Sequence, residues 1–167
     1  NAVMLRANAN DHALNHPEEG GPVLTGRAFA IVSGAMYDAY NSIKHLGGVF
    51  MTTAPAPKGA NVDAAVAQAA HDTLAALYPS QSESFDTWLA GDLDGVKNPK
   101  EKSNGIDLGH RAAAAILAYK ANDGSEIPEA LLGVDHVTSD LPGHWRQDPI
   151  SLVPLASVER VEVLRGG

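Results

Sequence analysis

The chain has 167 residues, a net charge of −8 and no cysteine. The length suffices for one hydrophobic core, and the acidic balance argues against a nucleic-acid or membrane-surface partner, since both favour basic patches. The missing thiols exclude disulfides and thiolate metal sites, and no apolar run approaches the roughly 20 residues that span a bilayer.

Residues 2–14 form a short predicted helix with Val3, Met4, Ala7 and Leu14 as a partial apolar stripe. His16-Pro17 ends it, because the residue before proline is pushed out of the helical region. Leu24 to His45 is the stretch the chain is expected to be organised around. Phe29, Val32, Met36, Tyr40 and Ile43 recur at steps of three and four, the period of one helix face. Thr25 is placed to cap its start and Gly47-Gly48 to stop it. Its many small residues, among them Ala28, Ser33, Gly34, Ala35 and Ala39, would let neighbouring helices approach closely, which puts it at the centre of a bundle.

Val49 to Gly59 holds Pro55 and Pro57 and should run extended over the surface. Asn61 then caps a third helix, Val62 to Tyr78, with Val62, Val66, Ala69, Thr73 and Leu77 inward and Pro79 closing it. Ser80 and Glu83 have the spacing of a capping box and start a fourth helix to about Leu93, with Phe85, Trp88, Leu89 and Leu93 inward. Asn98-Pro99 starts a fifth helix that runs to about Ala121 and carries Ile106, Ala113, Ile116 and Leu117; Asn122-Asp123-Gly124 terminates it. The expected fold class is therefore all-α: a helical bundle of about five helices over residues 1–124, followed by an irregular C-terminal tail, 125–167. That tail contains four prolines and little helical period, and Val158 to Leu164 partly alternates as a short edge strand would. A structureless stretch this long is unusual inside a compact domain, so the tail is expected to wrap over something.

Few residues suggest chemistry. His12 and His16 have the spacing that puts two imidazoles on one helix face, where metals bind. His16 falls past the predicted helix end and no third ligand completes the set, so no metal is expected. Asp38 and Asn41 lie between apolar positions of the central helix, and buried polar groups must be hydrogen-bonded. They fit either a catalytic role or the binding of another segment's backbone, and the structural role is favoured. His71 and Asp72 are read the same way, and His110-Arg111 as the polar face of the fifth helix. Pro142-Gly-His-Trp-Arg-Gln-Asp-Pro149 is the most unusual octapeptide, since loops commonly hold functional residues. Its His144, Trp145 and Arg146 are the candidate binding residues, with an Arg146–Asp148 pair over Trp145 able either to bind an anion or to pin the loop onto the bundle. No nucleophile elbow, phosphate-cradling glycine loop, His-Glu-x-x-His or dinucleotide fingerprint is present, so no catalytic residue is assigned.

Five stretches in register carry a resemblance. They are Asn1 to Arg6, Arg27 to Ile43 (RAFAIVSGAMYDAYNSI), Ala65 to Pro79 (AVAQAAHDTLAALYP), Gly105 to Ser125 and Pro142 to Pro149. Together they resemble the amino-terminal half of the bacterial vanadium-dependent haloperoxidases, a family of the type-2 phosphatidic acid phosphatase superfamily. The resemblance implies an all-helical bundle whose second half binds vanadate or phosphate. That family's anion site uses a lysine followed by Arg-Pro, a Ser-Gly-His segment and a later arginine and histidine. None of these occurs here, and Gly143-His144 lacks the preceding serine. A shorter likeness, Ser157 to Gly166 to a plug segment of TonB-dependent outer-membrane receptors, is discounted because everything upstream is too helical for a plug.

The resulting expectation is a scaffold half of a vanadium haloperoxidase-like enzyme, which uses peroxide to oxidise halide, or of a related acid phosphatase, which hydrolyses phosphate esters through a phosphohistidine. The anion site would lie on a second polypeptide or a C-terminal half, in an oligomeric assembly. The sequence begins at Asn1 and reaches Gly166-Gly167 before any such site, so a processed or incomplete product is expected, secreted or periplasmic rather than cytoplasmic. The rival expectation is a non-catalytic helical interaction subunit of a larger assembly.

Overall fold

The computed structural model describes residues 2–51, 55–127 and 139–144. The chain divides into two units, Asn1–Ser125 and Glu126–Gly167. The first is all-α, as expected. Its helices are α1 (Ala2–Asp11), α2 (Gly21–Lys44), α3 (Val62–Leu77), α4 (Ser82–Asp94) and α5 (Pro99–Lys120), with a single 3₁₀ turn at Pro79–Gln81. No strand occurs among the described residues. The alternating segment Val158 to Leu164 lies outside them.

Helix ends follow local chemistry, though not always at the expected residue. Asn61 Oδ1 accepts from the Ala64 N–H, and Asn98 Oδ1 accepts from the Lys100 and Glu101 N–H groups. These caps stand as read from sequence. Three other expectations are corrected. α1 ends at Asp11 rather than Leu14, and Leu14 is exposed. α2 begins at Gly21 with Pro22 in its first turn, where the fixed φ of proline suits a helix start, so Thr25 lies inside the helix. The Thr25 hydroxyl instead donates to Asn8 Oδ1 and the Glu19 carbonyl. The Ser80–Glu83 capping box does not form. The Ser80 N–H and hydroxyl both donate to the Glu18 carboxylate, which ties this turn to the α1–α2 loop.

α2 stops at His45, not at the glycines. His45 adopts the left-handed conformation (φ 54°) and its N–H bonds the Asn41 carbonyl. The following loop is then held by two buried side chains of α2. Asn41 Oδ1 accepts from the Leu46 and Gly47 N–H groups. Asp38 accepts from Phe50 N–H and Met51 N–H, both at 2.6 Å. The pair thus binds another segment's backbone.

The most extensively contacted helix is α3 rather than α2: α3 packs broadly against α5, α2 and α4, whereas α2 packs broadly against α3 and α5 and only slightly against α1. Its closest neighbour is α5, through Gly105 and Gly109. A Cβ on Gly105 would lie 2.5 Å from the Asn61 carbonyl oxygen, and one on Gly109 would lie 2.6 Å from that of Ala65. Only glycine lets the two backbones approach so nearly. The core is accordingly small-residue rich, with Ala28, Ala35, Ala39, Ala65, Ala69 and Ala112 around Ile31, Val32, Leu108, Ile116 and Tyr78. On α2 the core-facing residues are Ala28, Ile31, Val32, Ala35 and Ala39. Four of the five stripe positions read from sequence are less buried, and Tyr40 is 38% exposed. Trp88 on α4 is also exposed rather than inward, with the Arg6 guanidinium 5.7 Å over its ring.

Candidate functional site

Three features of the helical unit remain after the core and the caps are accounted for. The first is an open groove of about 580 Å³ between α1, α2, α3 and α4. Met36 and Tyr40 of α2, Val62 and Val66 of α3 and Val3 of α1 line it. Two carboxylates, Asp63 and Asp92, also border it. Of the α2 stripe read from sequence as core, Val32, Met36 and Tyr40 line this groove. α2 is apolar on two faces: Ala28, Ile31, Ala35 and Ala39 are buried in the core, and Met36 and Tyr40 line the opening.

The second feature is a polar cluster where α3 meets α4 and α5. Asp72 is its hub. Its Oδ1 accepts from Gln68 Nε2 at 2.7 Å and from His71 Nδ1 at 2.9 Å, and its Oδ2 accepts from His110 Nδ1 at 2.5 Å. The other ring nitrogen of His71, Nε2, meets Asp86 Oδ1 of α4 at 2.8 Å. Both nitrogens of His71 thus face carboxylate oxygens, which only accept, and both contacts are satisfied by the imidazolium alone. Burial pulls the His71 pKa down, but the hydrogen bonds and charges of Asp72 and Asp86 outweigh it and leave it above the ordinary 6.5. For Asp72, burial pushes the carboxyl up. The hydrogen bonds from His71, His110 and Gln68 outweigh that, and its pKa lies below the ordinary 3.8.

The third feature is a polar region beneath the α1–α2 loop. Asp11 is fully buried and accepts from the Glu18 and Glu19 N–H groups. Glu19 lies near Arg27, 3.7 Å away, and its pKa is raised by burial, which outweighs the nearby guanidinium. The Tyr78 ring is fully buried close by. Desolvation, with the charges of Glu19, Asp11 and Glu18, pushes its hydroxyl up to about 12.

The residues singled out from sequence fall as follows. His12 Nε2 is hydrogen-bonded with Thr25 Oγ1 at 3.0 Å, and His16 is exposed beyond the end of α1. The two do not share a helix face. No group of three or more His, Cys, Asp or Glu side chains fit to hold a metal ion occurs among the described residues. His144 lies in an exposed turn, its N–H bonding the Leu141 carbonyl. Trp145 and Arg146 lie outside the described residues. His71, Asp72 and His110 were read separately as structural or surface residues, and α3–α5 packing brings them together. Asp86 was not singled out. The one legible signal was a His-Asp pair interrupting an alanine-rich helix. No helix among the described residues is long and apolar enough to cross a membrane.

No protein-family model, no curated protein and no solved structure matches this chain.

Proposed function

We propose that this chain is the helical scaffold half of a vanadium haloperoxidase-like or acid phosphatase-like protein. Its groove would seat the polypeptide that carries the anion site. The single observation carrying the reading is the second apolar face of α2. A helix that is apolar on more than one face is normally covered on each. Here Met36 and Tyr40 line an open groove while Ile31, Ala35 and Ala39 fill the core. The five-stretch resemblance supplies the reaction class, peroxide-driven halide oxidation or phosphate ester hydrolysis. Vanadate or phosphate would be held by cationic side chains of the partner polypeptide, which neutralise the oxyanion. The contribution of this chain is positional: it presents an apolar wall and supplies no reacting group.

Native mass spectrometry of material purified from its source tests the reading. The expected result is a co-purifying polypeptide containing a Lys…Arg-Pro motif, a Ser-Gly-His segment and a later Arg…His, in a complex that binds vanadate. Val66→Glu, in the groove wall, should abolish the complex and leave the bundle helical by circular dichroism. A lone, folded species that binds neither vanadate nor phosphate overturns the enzyme reading. A complex whose partner lacks those motifs also overturns it, and favours a non-catalytic interaction subunit.

A further inference from the structure

α4 is held to the bundle by little apolar surface. It packs chiefly on α3, and Phe85 is its one buried residue. The Arg6–Trp88 stack adds a contact from α1. The His71–Asp86 hydrogen bond, though Asp86 is largely exposed, adds a polar link between α4 and α3. α4 also closes the groove, because Asp92 lines it, and Trp88 and Leu89 border the adjoining small cleft that His71 enters.

We propose that His71 is a proton-operated latch that fastens α4 to α3 and so sets the α4 wall of the groove. The consequence for docking rests on the scaffold reading above; the latch itself rests on geometry alone. With a proton on each ring nitrogen, His71 donates to Asp72 on its own helix and to Asp86 on α4. The neutral ring has one N–H. With the proton on Nε2 the Asp86 bond remains, and Nδ1, 3.5 Å from Gln68 Nε2, turns its lone pair toward Asp72. With the proton on Nδ1 the Asp86 bond is lost. In both tautomers the attraction of the cation for the two carboxylates is gone, so the link weakens.

The groups facing the ring are identified from each element. Asp72 and Gln68 are on α3, and Asp86 is on α4 with Asp92 in the same cleft. His110 of α5 reaches the ring through Asp72, and from α1 only Val3 lines the cleft. The folded-state pKa of His71 is raised, so its stabilisation is complete below the ordinary 6.5 and disappears as pH rises through the folded value. The Asp72 pKa is depressed, so its contribution holds above the ordinary 3.8 and disappears as pH falls through the folded value. The latch is closed across the mildly acidic range and opens toward alkaline pH.

Amide hydrogen exchange and histidine NMR on the full chain test it. Between about pH 5.5 and about pH 8.5, protection factors in α4 should fall roughly twofold to fivefold, the range for a partly exposed ion pair, while α5 stays unchanged. Asp86→Asn should bring the His71 titration down. His71→Lys keeps the positive charge at these pH values and should flatten the α4 response. An α4 profile identical in wild type and His71→Lys overturns the latch, as does a His71 that titrates at or below 6.5. Failure to capture a partner at any pH counts against the scaffold reading alone and leaves the latch standing.

Discussion

Gly109 of α5 lies so close to Ala65 of α3 that a β-carbon at position 109 would be 2.6 Å from the Ala65 carbonyl oxygen and 2.6 Å from the Gln68 β-carbon. Gly105 stands in the same relation to Asn61 and Ala64 one turn earlier. The obstructing atoms are mostly backbone, so relief requires the whole helix to move. Gly109→Ala and Gly105→Ala should each destabilise the unit by about 1–3 kcal/mol, as overpacking does, despite the higher helix propensity of alanine. Gly26→Ala is the control, because nothing lies within 4 Å of its added carbon. It should stabilise by about 0.5–1 kcal/mol. Urea denaturation of the three variants checks both signs.

Asp38 is 1% exposed, and its two carboxylate oxygens hold the N–H groups of Phe50 and Met51. Hydrogen bonds to a charged acceptor are among the stronger ones. Asp38→Ala should cost about 2–3 kcal/mol and speed amide exchange at residues 50 and 51, with Asp38→Asn intermediate because it keeps one acceptor. Unchanged exchange at both amides would show that the loop is held by Asn41 alone.

The Tyr78 hydroxyl is buried and has no hydrogen-bond partner among the described residues. Removing an unpartnered buried polar group relieves a desolvation penalty. Tyr78→Phe should therefore leave stability unchanged or raise it by up to about 1 kcal/mol. The wild-type phenol should stay neutral until about pH 12, against 10.0 for an unperturbed one, so its contribution is present below 10.0 and disappears as pH rises through the folded value. Denaturation of Tyr78→Phe, and an ultraviolet titration of phenolate in wild type and variant, measure the two effects.

Arg27 of α2 donates from Nε to Asp123 at 2.9 Å and from Nη2 to the Lys120 carbonyl, which ties the start of α2 to the end of α5. The arginine hydrogen bond, followed by that from Ser125, holds the Asp123 carboxyl down at about 2. A depressed carboxylate stabilises above its ordinary 3.8, and that stabilisation disappears as pH falls through about 2. Arg27→Gln should return the Asp123 titration most of the way to 3.8, read by carboxyl carbon NMR. A titration unmoved by the substitution would assign the shift to Ser125.

Helix existence and type were legible because each stretch carries its own periodic pattern and its own punctuation. Asn61 and Asn98-Pro99 act within one turn of themselves, so their caps need no tertiary information. The start of α2 was misplaced because Pro22 sets an earlier first turn, and the capping box did not form because a distant group competed for the same atoms. Glu18 takes both donors of Ser80. The buried face of α2 was misjudged for a different reason. Large apolar residues dominate a periodicity count, yet much of the buried face of α2 is alanine (Ala28, Ala35 and Ala39 beside Ile31 and Val32), which such a count weighs lightly.

The sequence by itself determined the five helices seen among the described residues, from alanine-rich, locally capped segments. Tertiary structure alone decided which face of each helix is buried, that α3 is the hub, and that His71, Asp72, Asp86 and His110 meet. Local pattern encodes a period and a cap, whereas the meeting of side chains 38 residues apart depends on how closely two helices can approach. Here that distance is set by two glycines whose significance shows only against the backbone they touch.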